Sequence, residues 1–145
     1  MYKAIALAAA LFAAAPAFAQ TMDDVNQQID TVLGAHEIYQ TAIETIQQAL
    51  VDGNVDGIAG YIPFGEPIKV NGADVVIADE ADLAARFGEL FNPKVVAAVT
   101  GQDYAKLLVN QDGIMFGSGE LWITGVCLDD TCAEFFVNIS AINNQ

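Results

Sequence analysis

Basic residues are scarce in this chain: five Lys and Arg stand against 19 Asp and Glu, a formal net charge of −14 over 145 residues. A surface of that sign repels phosphate backbones and anionic lipid, which excludes nucleic-acid binding. There is one His, at position 36, and there are two Cys, at 127 and 132. That is too few nitrogen and sulfur donors for a zinc site, so neither a metal nor a cofactor is expected. The sequence contains no G-x-S-x-G, no H-E-x-x-H and no cofactor fingerprint, and a Ser/His/Asp triad would have to rest on His36 alone. Repeats and low-complexity linkers are also missing. The length suits one domain, and 54% hydrophobic residues exclude a disordered acidic tail.

What is present begins with an address. Lys3 is the only charge before Asp23, and an apolar stretch from Ala4 to Ala15 is followed by Pro16 and Ala17-Phe18-Ala19. A basic start, a short apolar core and a small-x-small site read as a secretory signal peptide over residues 1–19, cut before Gln20. The run is too short and Ala-rich to span a membrane, so no span is expected in the mature chain. Residues 20–145 then form a single domain with four cations (Lys69, Arg86, Lys94, Lys106) against 19 acids, a net of −15. The Ala-rich leader is of bacterial type, which points to a Gram-negative periplasm or to secretion. In that oxidising space Cys127 and Cys132, flanking Leu-Asp-Asp-Thr between two strand-like runs, are expected to form a structural disulfide. Four intervening residues, rather than two, argue against a redox pair.

Apolar residues at 22, 25, 29, 32, 39, 43, 46 and 50 recur at helical spacing, with His36 filling the gap and Gly34 bending or breaking the helix. Thr21 or Asp23 caps its start and Gly53 follows its end. A short helix over 55–61 stops at Pro63. Asn71-Gly72 between two apolar runs predicts a hairpin. Asp79-Glu80 opens a helix carrying Leu83, Phe87, Leu90 and Phe91, and Asn92-Pro93 caps another that ends at Gly101. Strands are expected over 107–110, 113–117, 120–127 and 132–142. Helices first and an antiparallel sheet afterwards spell an α+β fold.

The segment Gln48-Ala-Leu-Val-Asp-Gly-Asn-Val-Asp-Gly-Ile-Ala-Gly-Tyr61, ending a long N-terminal helix, resembles the opening of the nuclear transport factor two-like superfamily. The hairpin, the helix around Phe87 and the closing strands continue that resemblance over most of the mature chain. The tail, with Gly113-Ile-Met-Phe-Gly-Ser-Gly-Glu-Leu-Trp122, is similar to small bacterial secreted proteins. The resemblance implies a curved sheet wrapped around helices as a cone with an apolar pocket. Its members include isomerases, dehydratases, cyclases and non-catalytic binding or dimerising modules, so the fold does not select a function. Isomerase chemistry needs a carboxylate base and a neutral acid in an apolar pocket. Tyr39 is available as the acid. Tyr61-Ile62-Pro63-Phe64 carries no Asp where the base is expected, and Glu66 falls a few residues late.

If Cys127 faces Cys132, pairing continues as 126–133, 124–135 and 122–137, which places Trp122, Thr124, Val126, Phe135, Val137 and Ile139 on the inner face with Glu120. The outer face then holds Leu121, Ile123, Glu134, Phe136 and Asn138, enough apolar area to suggest a partner, such as a second copy. Desolvation beside an indole would make Glu120 the most interesting acid, although the start of a strand is also a wet rim. His36 reads as a packed helix residue. Tyr39, Tyr61 and Trp122 are candidate pocket walls or plain core. Asp52-Gly-Asn54-Val-Asp56-Gly57 matches half of a calcium loop, but its twelfth position is Pro63 instead of Glu. The competing account is a helix junction capped by Asn54. Gly117-Ser118-Gly119 is a turn, and Asn138-Ile-Ser140 is a glycosylation sequon misplaced in a strand.

The expected function is that of a non-catalytic periplasmic module binding a small apolar ligand or a basic protein through Tyr39, Tyr61, Glu120, Trp122 and His36. The alternatives are an isomerase, dehydratase or cyclase with Glu120 or Glu66 as base and Tyr39 or His36 as acid, or an inhibitor of a cationic hydrolase. The disulfide generates the first prediction. So short a loop restricts the unfolded chain little, so replacing both Cys127 and Cys132 by Ser is expected to lower stability by only about 2 kcal/mol in urea unfolding.

Overall fold

The computed structural model describes residues 19–145, so the expected leader lies almost wholly outside the described residues. The expected N-terminal helix is broken at Gly34 into two. Helix α1 (Met22–Val32) opens on a reciprocal cap, Thr21 accepting from the Asp24 N–H while the Asp24 carboxylate accepts from the Thr21 N–H. It stops because the chain turns at Gly34, whose N–H reaches back to the Ile29 carbonyl. Helix α2 (His36–Asp52) buries Tyr39, Ala42, Ile43, Ile46, Ala49 and Leu50, the expected stripe with two alanines added. Helix α3 (Val55–Ala59) is shorter than expected and is capped by the Asn54 side chain.

Strands β1 (Pro67–Val70) and β2 (Ala73–Val76) pair as the Asn71-Gly72 hairpin, with both turn residues at positive φ. Helices α4 (Glu80–Leu90) and α5 (Pro93–Thr100) begin at the Asp79 and Asn92 caps. A 3-10 turn (Tyr104–Lys106) leads into β3 (Leu108–Asn110), β4 (Gly113–Phe116), β5 (Leu121–Cys127) and β6 (Phe135–Ile142). The result is α+β: helices on one side of a curved, open, mixed sheet ordered β2-β1-β6-β5-β4-β3. Its one parallel pairing joins β1 to β6 at Lys69–Ala141 and Val70–Ile142. The C-terminal Asn144 fastens this end, its amide donating to the Glu89 carbonyl and its N–H to the Asn71 side chain.

The β5–β6 register corrects the expected one. Cys127 pairs with Phe135, not Cys132, and the series runs Val126–Phe136, Thr124–Asn138 and Ile123–Ile139. The disulfide is present, with Cα atoms 4.7 Å apart, but it closes inside the turn. The Asp129 carboxylate lengthens that turn by accepting from the Thr131 hydroxyl at 2.6 Å and the Thr131, Ala133 and Glu134 N–H groups at 2.8, 3.3 and 3.0 Å. Leu128 N–H meets the Glu134 carbonyl at 2.8 Å, closing the hairpin at its neck. An odd shift of three residues reverses the faces of β5. Leu121 and Ile123 are therefore core, and Trp122, Thr124 and Val126 lie on the outer face. Phe135, Val137 and Ile139 point inward as expected. A bulge opposite Trp122/Ile123 then lets Ile139 and Ile142 both face the core.

The concave side of the sheet is filled. Tyr39 crosses from α2 to the middle of β5, 1% exposed, with its ring 5.4 Å from that of Phe135 and the Gly125 N–H on its hydroxyl. Burial pushes the Tyr39 phenol above its ordinary range. Gly125 is required by this close approach, since a Cβ there would overlap the Tyr39 hydroxyl and stand 3.1 Å from Phe135. Gly125→Ala is thus expected to cost about 1–3 kcal/mol, the usual range for overpacking. In Tyr39→Phe the nearest ring carbon would be 3.4 Å away, an ordinary contact. The double variant should be more stable than the two single losses add up to, which a double-mutant cycle in urea measures.

Candidate functional site

With the concave side packed, an open concavity lies on the opposite face. Three features of the chain create it. Pro63 ends the helical path after α3, and the segment 60–66 swings beside β6 instead of pairing with it fully, making one ladder-like bond from the Ile139 N–H to the Tyr61 carbonyl at 2.7 Å. Pro67 opens β1 without an N–H, so β1 cannot extend its pairing with β6 backwards. The reversed faces of β5 bring Thr124 and Val126 to the outside. Between segment 60–66 and the outer face of β5 and β6 there remains a groove of about 550 Å³.

Its walls are Ile62, Pro63, Phe64, Val126 and Phe136, and its polar groups are Glu66, Thr124, Asn138 and Ser140. Phe136 is 42% exposed, on the outer face near the hairpin end of β6. Asn138 is the opposite case, a polar side chain that is only 7% exposed and the one buried polar residue among those described. Its amide makes no hydrogen bond to any described residue, and no buried polar atom is left sealed without a partner, so the amide opens into the groove. A primary amide offers two donors and one strong acceptor, and here they are open to whatever enters the groove. Apolar walls with a few convergent polar groups form the general architecture of a binding site.

A second groove of about 450 Å³ adjoins the first, on the far side of Phe136. It lies between the start of α2 and the edge of β6 and is lined by Glu37, Ile38, Ala42, Tyr61, Phe135 and Val137 among others. Among the described residues neither groove is lined by a Lys or Arg, and each has one Glu on it.

The residues expected to form a site are dispersed. Tyr39 is core. Tyr61 is half-buried on the second groove and supplies its carbonyl to β6. Glu120 and Trp122 are neighbours, as expected, but in a shallow depression of about 320 Å³ on the outer face with Lys94, Met115 and Asn143. There the Glu120 carboxylate accepts from the Ser118 N–H at 2.5 Å. His36 begins α2. Its N–H and its Nδ1 both meet the Asp30 carboxylate at 2.9 Å, and its Nε2 is 3.7 Å from Glu37. The His36 N–H and then its ring hold the Asp30 carboxyl below the ordinary range, so Asp30 caps α2 from the preceding helix. Asp30, His36 and Glu37 could each offer one ligand atom to a cation, but Asp30 already occupies Nδ1. In the calcium-like segment the Asn54 oxygen is spent on the Gly57 N–H at 3.2 Å and Asp52 accepts from Gln48.

No protein-family model, curated protein or solved structure matches the chain. The disulfide suggests an extracytoplasmic protein, because such bonds persist in oxidising compartments. Among the described residues no helix is long and apolar enough to cross a membrane.

The groove's far end borders the Asp129 turn through Val126 and Phe136, which predicts a pH effect. Hydrogen bonds, first from the Thr131 hydroxyl and then from the Glu134 N–H, hold the Asp129 carboxyl down to about 2 from an ordinary 3.8. A depressed carboxyl supports the folded turn above 3.8 and loses that support as pH falls through about 2. The Thr131 and Glu134 amide resonances should therefore hold their positions down to pH 3.8 and move only as pH approaches 2.

Proposed function

We propose that this protein is a non-catalytic periplasmic interaction module, bacterial and exported, that binds an apolar group of a partner or ligand in the outer groove. The single observation that carries this reading is Asn138: a residue only 7% exposed whose amide, bonded to no described residue, opens between apolar walls and can meet a visitor that brings both apolar surface and a hydrogen-bonding group. The acidic surface favours a basic partner, for which the groove rims supply Glu37 and Glu66.

The nuclear transport factor two-like reading is part of the same proposal. In its support are the helices ahead of an Asn-Gly hairpin, the return through α4 and α5, and a closing meander whose last strand runs parallel to β1. In such a cone the ligand space would lie on the concave side, where Tyr39, Ile43 and Phe116 are packed. Binding is therefore assigned to the outside. An isomerase-type site would need two titratable side chains converging on one cavity, and the outer groove is lined by one, Glu66. The uncovered face also carries Leu108 and Val126, 45% and 37% exposed, and a homodimer through it is the second reading.

Two measurements test the proposal. A neutral apolar dye, Nile red, should bind the native protein. Phe136→Ser, a change at a half-exposed position, should weaken that binding about tenfold, as expected for losing one aromatic wall. Equal binding by the two proteins would remove the groove as the site. Native mass spectrometry of the protein taken from its own periplasm should show a monomer carrying an added small molecule or polypeptide. A bare homodimer would favour the second reading.

A further inference from the structure

Among the described residues no main-chain partner meets Phe135 or Val137 of β6, the second only 4% exposed and reached from the second groove. Leu128 N–H bonds the Glu134 carbonyl across the hairpin, and the register carries this alternation on to Phe136 and Asn138, whose main-chain groups face β5. The intervening residues face the other way, as Ile139 demonstrates by donating to the Tyr61 carbonyl. The N–H and C=O groups of Phe135 and Val137 therefore point toward the side on which β1 would lie, yet β1 pairs with β6 only at Ala141 and Ile142. A half-edge is left, ended by Tyr61 at one side and by the disulfide turn at the other. One groove lies on each face of this half-edge, with Phe136 between them.

We propose that this half-edge, Phe135–Val137, is a strand-addition site for an extended, basic, apolar peptide segment of a partner. The proposal rests on the outer groove being a binding site and specifies how it is occupied. Main-chain hydrogen bonds to Phe135 and Val137 supply the anchor, and alternate side chains of the added strand enter the two grooves, one from each face. An open edge of sheet is completed by another strand, since its donors and acceptors are spaced for a backbone. Apolar walls on both sides call for apolar residues at consecutive positions of the incoming segment. The charge of the flanks follows from Glu37 and Glu66 on the grooves and from Asp129, Asp130 and Glu134 around the neighbouring turn, with no cation among the described residues lining either groove.

The test uses the full mature chain and the synthetic peptide acetyl-Lys-Lys-Val-Leu-Val-Lys-Lys-amide, with two forms N-methylated at alternate residues. One of these blocks the N–H groups that face β6 in whichever register the peptide takes. The unmodified peptide is expected to displace Nile red and to slow hydrogen exchange at the Phe135 and Val137 amides by at least tenfold. One methylated form should bind about tenfold more weakly than the other, as expected for the loss of two hydrogen bonds. Displacement of the dye by all three peptides alike, without protection of Val137, would overturn strand addition and leave the groove reading standing. If neither the peptide nor Nile red binds, both readings fall. Protection of Val137 that rises with protein concentration, in the absence of peptide, would overturn the proposal in favour of a second copy on the same edge.

Discussion

Side chains along a strand alternate between faces, so the number of residues absorbed by the β5–β6 turn decides which half of β5 becomes core. The Asp129 carboxylate makes that decision. By gathering three N–H groups and a hydroxyl it commits Leu128–Glu134 to the turn and starts the ladder at Cys127–Phe135. Every larger feature follows from that parity. Leu121 and Ile123 go in against the helices, Gly125 presents bare backbone to the Tyr39 hydroxyl, and Val126 and Thr124 go out to build one wall and the floor of the groove. A pairing offset by one residue would bury the indole of Trp122 and a threonine where two aliphatic side chains now lie.

Much of the fold was legible because local chemistry specified it. Thr21, Asn54, Asp79 and Asn92 are side chains that cap, Pro93 suits a first helical position, and Asn71-Gly72 fits one kind of turn. The strand ends and the α+β class came from the same punctuation. The register was misread because the two cysteines are a conspicuous signal and Asp129-x-Thr131 is a quiet one. A disulfide fixes only that two residues are near, whereas the turn's hydrogen bonds fix which residues face each other. The Asp-x-Thr pattern was available as a sign that the turn is closed by a side chain and so is longer than the span between the sulfurs.

The site was less legible than the fold, for a reason that applies to any groove made by what a strand fails to do. Tyr39, His36 and Trp122 drew notice because they are rare or reactive types. The residues that shape the groove are an amide in an apolar run (Phe136-Val137-Asn138-Ile139) and two prolines, one turning the chain away from β6 and one starting β1 without a donor. Of these, only the buried asparagine could have been suspected from sequence, as a polar residue on a strand whose neighbours all favour burial. The consequence of Pro67 for β6 depends on the parallel pairing of two strands more than 60 residues apart, which no local pattern encodes.

The brevity of the exposed edge has a further meaning. A long uncovered strand can recruit another, which recruits the next, and sheets grow into fibres that way. Here the vacancy spans Phe135–Val137 and is closed off by the Tyr61 carbonyl on one flank and a covalently tied loop on the other. Pro67 leaves the notch open, and the Tyr61 carbonyl and the disulfide turn keep it too short to propagate, so strand addition there would not carry the hazard of indefinite polymerisation.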